Sequence, residues 1–459
     1  MTRHVSLHVS PPIHRGMTVL DKDAFRKSIP ILAAKVPPVN AGTLMGSQIM
    51  RKTLLDIPRV KNVVRQEDGS RLVLLRFQDH ANLSPEVLEF LKENSAEVIT
   101  YPLTFDYDYW TADEIITSIL PEELVNGAPS GFATVGHIAH LNLNAEYLPY
   151  KHLIGQIILE KTSDNIRTVV NKTDTISNQF RVFQMEVLAG DRDFVVKHHE
   201  SNCAFTFDFR EVYWNSRLQT EHGRLVNQFT PEDLVADVFA GVGPFSIPAA
   251  KKGCAVFAND LNPMSYNYLR ENISDNKVSD LVRASCEDGR TFIRSVFNRA
   301  FDTPFLPIAP KVSRNQLRKA HASSSGGASR SRSPKRIPEA PKHATPPRNR
   351  ITHLAMNLPD SAIEFLDAFR GVLAHANAGE RALSGLYGAP HALPLVHCYC
   401  FTRESEYEKA KEDIWKRVEE RLGHPLGEEA SLHLVRSVAP NKEMYCISFR
   451  LPHEVAFAA

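Results

Sequence analysis

The sequence predicts an α/β protein: a doubly wound, mainly parallel sheet with a C-terminal antiparallel hairpin, preceded by a small α/β domain and a strand-rich α+β domain. Three observations carry that expectation. The apolar run Leu234–Phe239 ends in Ala-Gly-Val-Gly-Pro, a glycine turn opening a helix. Two further apolar strands, Ala255–Asp260 and Val282–Asp288, follow at the spacing of βαβ units. Near the end, Ser431–Ala439 and the run to Phe449 read as two strands joined by a short Pro440-Asn441 turn.

The 459 residues favour several domains over one core. With 43% hydrophobic and 23% charged residues the composition is that of a globular protein, and collagen-like or wholly disordered chains are excluded. No apolar run approaches the roughly 18 residues a membrane helix needs, and no signal-peptide core opens the chain, so an intracellular protein without a membrane is expected. Fifty-four Lys and Arg against 53 Asp and Glu leave a net charge of +1, which announces no nucleic-acid field. The six cysteines lack metal-site spacing and read as reduced thiols. Cys398 and Cys400 alternate on one face of an apolar strand, and no metal is expected.

Taken in order, residues 1–42 read as an acid-poor tail in which Asp21 is the first carboxylate. Residues 43–115 form the small α/β domain, with a helix over 84–93 opened by Ser84-Pro85-Glu86. Gly127–Gly131 interrupts regular structure, and residues 116–225 carry strands at Phe132–Leu143, Ile166–Asn171, Phe180–Leu188, Phe194–His199 and Ala204–Trp214. Ser216 and Gln219 have capping-box spacing before a helix over 217–228. Residues 226–459 make the last domain, with a helix over 404–422. Its stretch 311–350 has eleven Lys or Arg and one acid, and reads as a disordered basic insert: an RNA-phosphate contact, a solvated spacer or a phosphorylation target.

The glycine turn also locates a ligand. Gly241 and Gly243 let a ligand approach the backbone, but Ser246 stands where a dinucleotide fold has its third glycine. Asp260, about twenty residues beyond the turn, can accept ribose hydroxyls, and Asp288 can accept an adenine amine. Two strand-end acids without a phosphate-binding lysine describe a nucleoside with a small charged tail, S-adenosylmethionine. The plainer alternative is that these acids only cap helices. Strand Thr352–Pro359 ends in Asn357-Leu-Pro359, which resembles the Asn-Pro-Pro-aromatic motif of methyltransferases acting on planar nitrogen. Asp360 replaces the aromatic, so another ring must stack on the base.

Together, Phe180–Gly190, Val212–His222, Phe239–Gly243 and Asn357–Pro359 resemble the archaeal and eukaryotic tRNA (guanine-N1)-methyltransferase family, which modifies guanosine at position 37; Phe132–Leu143 and Tyr107–Trp110 fit it too. The resemblance covers most of Asp21–Pro452 outside the insert. It implies a class I Rossmann-like methyltransferase sheet, a tRNA substrate, a first domain that gauges tRNA shape, and a monomer. It implies work in the cytoplasm, with the nucleus and mitochondrial matrix as alternatives.

Guanine N1 carries a proton, so methylation there needs a base, and the charge left on O6 needs a cation. The resemblance gives the first role to Glu221 and the second to Arg181. It lets Tyr213 pack on the base or donor and Asn357 and Pro359 hold the purine edge. It puts His222, Phe239, Gly241, Gly243, Asp260, Leu261, Asp288, Gly289 and Asn357 around the cofactor. The plainer alternatives are an Arg217–Glu221 surface pair, a solvent-facing Arg181 and a core Tyr213. Two rival functions are a wybutosine-pathway tRNA aminocarboxypropyltransferase and a non-catalytic tRNA-binding protein. The Asn-Leu-Pro turn with Glu221 and Arg181 favours methyl transfer.

Overall fold

The computed structural model describes residues 7, 9–129, 131–173, 180, 182–307 and 346–459. Its contacts divide the chain into two units, residues 1–173 with 185–192, and residues 174–184 with 193–459. This division differs from the expected boundaries at 42, 115 and 225.

The first unit opens with β1 (Lys27–Val36), which the expected tail over 1–42 had concealed. Ile29, Ile31 and Ala33 enter one hydrophobic cluster and Leu32, Ala34 and Val36 the other. Burial on both faces leaves no polar alternation to mark the strand. It lies between β3 (Arg71–Leu74) and β4 (Glu97–Phe105), with β2 (Val63–Arg65) outside β3. Helix α1 (Pro38–Gly46) follows β1, and α2 (Pro85–Glu93) begins where expected, capped by Ser84, whose hydroxyl accepts from the Val87 amide. Helix α3 (Ala112–Ile119) starts from a Thr111–Glu114 capping box.

A second sheet runs β5-β6-β7-β8, with β5 at Ala133–Val135, β6 at Ile138–Leu141, β7 at Thr168–Lys172 and β8 at Met185–Gly190. Strands β6 and β7 are parallel because α4 (Lys151–Lys161) crosses between them.

The second unit begins with the hairpin β9 (Val195–Glu200) and β10 (Cys203–Asp208), which ends six residues before Trp214, the expected strand end. Its backbone is tied to α7 (Pro263–Asp275) and the residue after it: the Thr206 amide donates to Asn272 Oδ1 at 2.8 Å, and the Ala204 amide to Asn276 Oδ1 at 3.0 Å. The hairpin therefore belongs with the last domain, not with the strands before it. Helix α5 (Gln219–Gln228) follows a short 3-10 turn that Asn215 caps, in place of the expected Ser216–Gln219 box.

The seven-stranded sheet has the order β13-β12-β11-β14-β15-β17-β16. Strands β11 (Leu234–Asp237), β12 (Ala255–Asn259), β13 (Val282–Ser285), β14 (His353–Met356) and β15 (Leu395–Thr402) are parallel neighbours, while β17 (Lys442–Arg450) runs against β15 and β16 (Ser431–Ala439) against β17. The doubly wound sheet and its hairpin are thus as the sequence predicts. Asn441 takes the left-handed φ of 56° that its turn needs. Cys398 and Cys400 lie in the core, and burial pushes the Cys400 thiol up to about 12. Cys286 is exposed, unlike the other five thiols. Among the described residues no helix is long and apolar enough to cross a membrane, and none of their side chains cluster as a metal site.

Most of the basic insert falls on 308–345, outside the described residues. Its last residues are built into the fold. Arg348 and Phe305 form an isolated bridge, and the Arg348 guanidinium donates to the carbonyls of Pro231 at 3.1 Å and Gly253 at 2.7 Å. Arg350 donates to the Ala392 carbonyl at 2.9 Å. These two cations, counted with a disordered loop, are structural donors.

Candidate active site

The chain runs outward from β11 to β12 and β13 and then returns to β14 on the other side of β11, and a doubly wound sheet opens a crevice at such a reversal of strand order. The turn after β11 is pinned there: the Val238 amide donates to the Ala355 carbonyl at 2.9 Å and the Ala240 amide to the Asn259 carbonyl at 2.7 Å. A cavity of about 420 Å³ occupies the crevice.

The cavity gathers most of the expected residues. Tyr213, His222, Phe239, Gly241, Asp260, Leu261, Asp288, Gly289, Asn357 and Pro359 all line it. Three expected residues stand otherwise. Arg181 lies outside the described residues. Gly243 is not in the cavity wall: a Cβ there would come within 2.8 Å of Ile247 and 2.9 Å of Leu269, at a φ of +100°. Its role is packing of the turn on α6 (Ser246–Lys252) and α7. At Gly241, with φ +55°, a Cβ would meet nothing within 4 Å, so this glycine leaves the open approach expected of both. Gly243→Ala should therefore cost about 1–3 kcal/mol of stability through overpacking and backbone strain, read as a lowered midpoint in urea. An unchanged midpoint would refute the packing account.

The third departure is Glu221. Only 5% exposed, it is absent from the cavity wall, and its carboxylate is occupied. Arg224 on the same helix donates to both oxygens at 2.6 Å, and the Tyr399 hydroxyl donates to Oε1 at 2.7 Å. His433 Nε2 stands 3.4 Å from Oε2. The hydrogen bond to Glu221 raises the Arg224 pKa, and burial lowers that of His433. The partner of Glu221 is thus Arg224, one turn on, and not Arg217.

Asp260, expected to accept ribose hydroxyls, is itself anchored by backbone amides. The Gly241 amide donates to Oδ2 and the Asn262 amide to Oδ1, at 2.8 and 2.9 Å, while burial raises its pKa. Asp288 caps α8 (Gly289–Asp302), Oδ1 accepting from the Arg290 and Thr291 amides. Capping and lining coincide in this residue. Asn357 presents a buried Oδ1 with no hydrogen-bond partner, an acceptor left for a ligand.

Rings missing from the Asn-Leu-Pro motif come from elsewhere. The Phe401 amide donates to the Pro359 carbonyl at 3.0 Å, and Phe401, Phe180 and Phe365 line the cavity with Tyr213, which is 39% exposed. Phe401 lies 42 positions beyond Pro359, so no local motif could reveal it. Asp237, at the end of β11, was also missed. It is fully buried, holds the Ser246 hydroxyl at 2.6 Å, and burial pushes its carboxyl up to about 7.

Residues 196–303 match the TRM5/TYW2 methyltransferase domain and residues 112–193 the TYW2 N-terminal domain. The chain is 55% identical to the tRNA (guanine(37)-N(1))-methyltransferase of Coprinopsis cinerea, covering 99% of both chains, and 47% identical to that of Schizosaccharomyces pombe, covering 96% of this chain and 95% of the relative. Its fold is similar to those of Trm5b from Pyrococcus abyssi (23% identity, TM-score 0.57, 92% and 99% covered) and of aTrm5 in complex with tRNALeu (19%, 0.59, 92% and 100%). With a doubly wound sheet, a crevice at its switch point and similarity running the length of its relatives, the chain belongs to the tRNA (guanine(37)-N1)-methyltransferase family and is an enzyme of that kind.

Proposed function

We propose that the cavity binds S-adenosylmethionine together with the guanine of tRNA position 37, and that Glu221, Arg181 and Asn357 carry the methylation of N1. The observation that supports this best is the make-up of the cavity: two strand-end carboxylates, a glycine with open space before it, an unpaired buried amide oxygen and seven Phe, Tyr or Trp rings, and no Lys or Arg among the described lining residues. That set fits a nucleoside without phosphates. Asp260 takes the ribose hydroxyls and the free oxygen of Asp288 the adenine amine. Bound S-adenosylmethionine supplies an electrophilic methyl group. Asn357 accepts a hydrogen bond from the purine edge, Phe401 or Tyr213 stacks on the base, and Arg181 balances charge growing on O6.

Glu221 receives the N1 proton in this reading, so its pair with Arg224 must open as tRNA seats. The reaction is tested by incubating tRNA with methyl-labelled cofactor and analysing nucleosides. One labelled 1-methylguanosine per tRNA is expected, and none with adenosine at position 37; label on the adenosine variant would refute the assignment. Asp260→Ala should weaken S-adenosylhomocysteine binding by about 10- to 50-fold, through the lost ribose acceptor and the two amides it strands. Affinity for tRNA should hardly change. Equal loss of both affinities in parallel titrations would count against the ribose role.

A further inference from the structure

An asparagine ends the otherwise apolar strand β12, and it is only 1% exposed. A buried amide in such a place needs partners for two N–H donors and two oxygen lone pairs, and Asn259 finds them all. Its Nδ2 donates to the Val238 carbonyl at 3.2 Å and to the Glu287 carbonyl at 2.9 Å. Its Oδ1 accepts from the Ser285 hydroxyl at 2.9 Å and from the Glu287 amide at 3.1 Å. Its backbone carbonyl takes the Ala240 amide at 2.7 Å. One residue therefore joins the turn after β11, the end of β12 and the turn after β13. Both backbone groups of Glu287 are claimed by this one amide, and the Glu287 side chain is held too: Arg299 of α8 donates to its two oxygens at 2.5 and 2.9 Å. The residue after Glu287 is Asp288, and the residue after Asn259 is Asp260.

Those two acids are the ones assigned to the adenine amine and the ribose. Asp288 spends Oδ1 on the amides that open α8, so it meets a ligand through its other oxygen, and the direction of that oxygen follows the backbone of residues 287–289. A hydrogen bond of this kind discriminates best when a second layer of contacts fixes its geometry before the ligand arrives. We infer that Asn259 is a positioning residue that fixes Asp288 relative to Asp260, and that this spacing makes the cavity selective for a purine nucleoside with an exocyclic amine. The inference rests on the S-adenosylmethionine reading. It differs from a role in stability alone. Loosening a merely structural contact weakens every nucleoside alike, whereas loosening the residue that directs Asp288 changes the preference for the amine.

The experiment compares two probes by calorimetry: S-adenosylhomocysteine, and its analogue with hydrogen in place of the adenine amine. The wild-type protein should prefer the first by about tenfold or more, the value of one hydrogen bond to a charged group. Asn259→Asp keeps the size of the side chain and the oxygen that faces Ser285 and the Glu287 amide, but replaces the two donors with an acceptor. It should cut the preference to about threefold or less, chiefly by weakening S-adenosylhomocysteine, with tRNA affinity hardly changed. Asn259→Ser, which adds no charge and has too short a side chain to reach both groups of Glu287, should do the same and serves if the aspartate variant does not fold. A wild-type preference retained in a folded variant, or equal weakening of both probes, overturns the inference while leaving the cofactor in place. Equal affinity of the wild-type protein for both probes takes the amine away from Asp288 and the inference with it. Failure of the wild-type protein to bind S-adenosylhomocysteine overturns the cofactor reading as well.

Discussion

Glu221→Gln should lower turnover on saturating tRNA by about 10²–10⁴-fold, the range for a lost general base. Glutamine is the substitution to make, because Arg224 and the Tyr399 hydroxyl both donate to this carboxylate. Alanine would strand them in a largely buried site, at about 3–5 kcal/mol for a buried pair broken from one side, and lost activity would then be confounded with lost structure. Glutamine keeps the volume and an acceptor oxygen but cannot take a proton. Because guanine N1 gives up its proton more easily at high pH, the variant should regain part of its turnover as pH rises. The measurement is single-turnover methyl transfer against pH, with tRNA and S-adenosylhomocysteine affinities as controls. Near wild-type rates would remove Glu221 from the chemistry and leave His222 as the basic side chain described in the cavity wall.

The fold was legible wherever burial is one-sided or continuous and turns are chemically marked. The βαβ rhythm around Leu234–Ser285 and the hairpin at Asn441 are of that kind. Strand β1 was not, because both its faces are buried and it shows no alternation. The site was legible in part for a related reason. Asp260 and Asn357 end strands, and strand ends converge on the crevice of a doubly wound sheet. Phe401 reaches the site only through tertiary packing, and its local sequence, Tyr-Cys-Phe, reads as ordinary strand. Motif position alone placed Glu221 beside the reacting atoms. Position on a helix says nothing of which neighbours claim a carboxylate, and Arg224 and Tyr399 claim this one.

Asn357→Ala should lower turnover by about 10²–10³-fold, comparable to the loss of a preorganised polar group that meets the reacting base. Strand β14 delivers this residue to the crevice, and the following turn is held by the Phe401 amide on the Pro359 carbonyl, so the side chain is fixed before any ligand arrives. Its buried Oδ1 lacks a partner, which costs about 1–3 kcal/mol until a donor fills the cavity. In the proposed function that cost is recovered when the guanine edge donates to it, which would make the amide selective for a base with a donor there. Alanine removes both the acceptor and the cost, so folding stability should hold or rise slightly while catalysis falls. The pairing of those two signs is diagnostic. Thermal melts would report the first and single-turnover transfer the second; S-adenosylhomocysteine affinity should change by less than about tenfold, since the two strand-end acids remain. A large loss of S-adenosylhomocysteine binding with transfer intact at saturation would reassign Asn357 from the base to the cofactor.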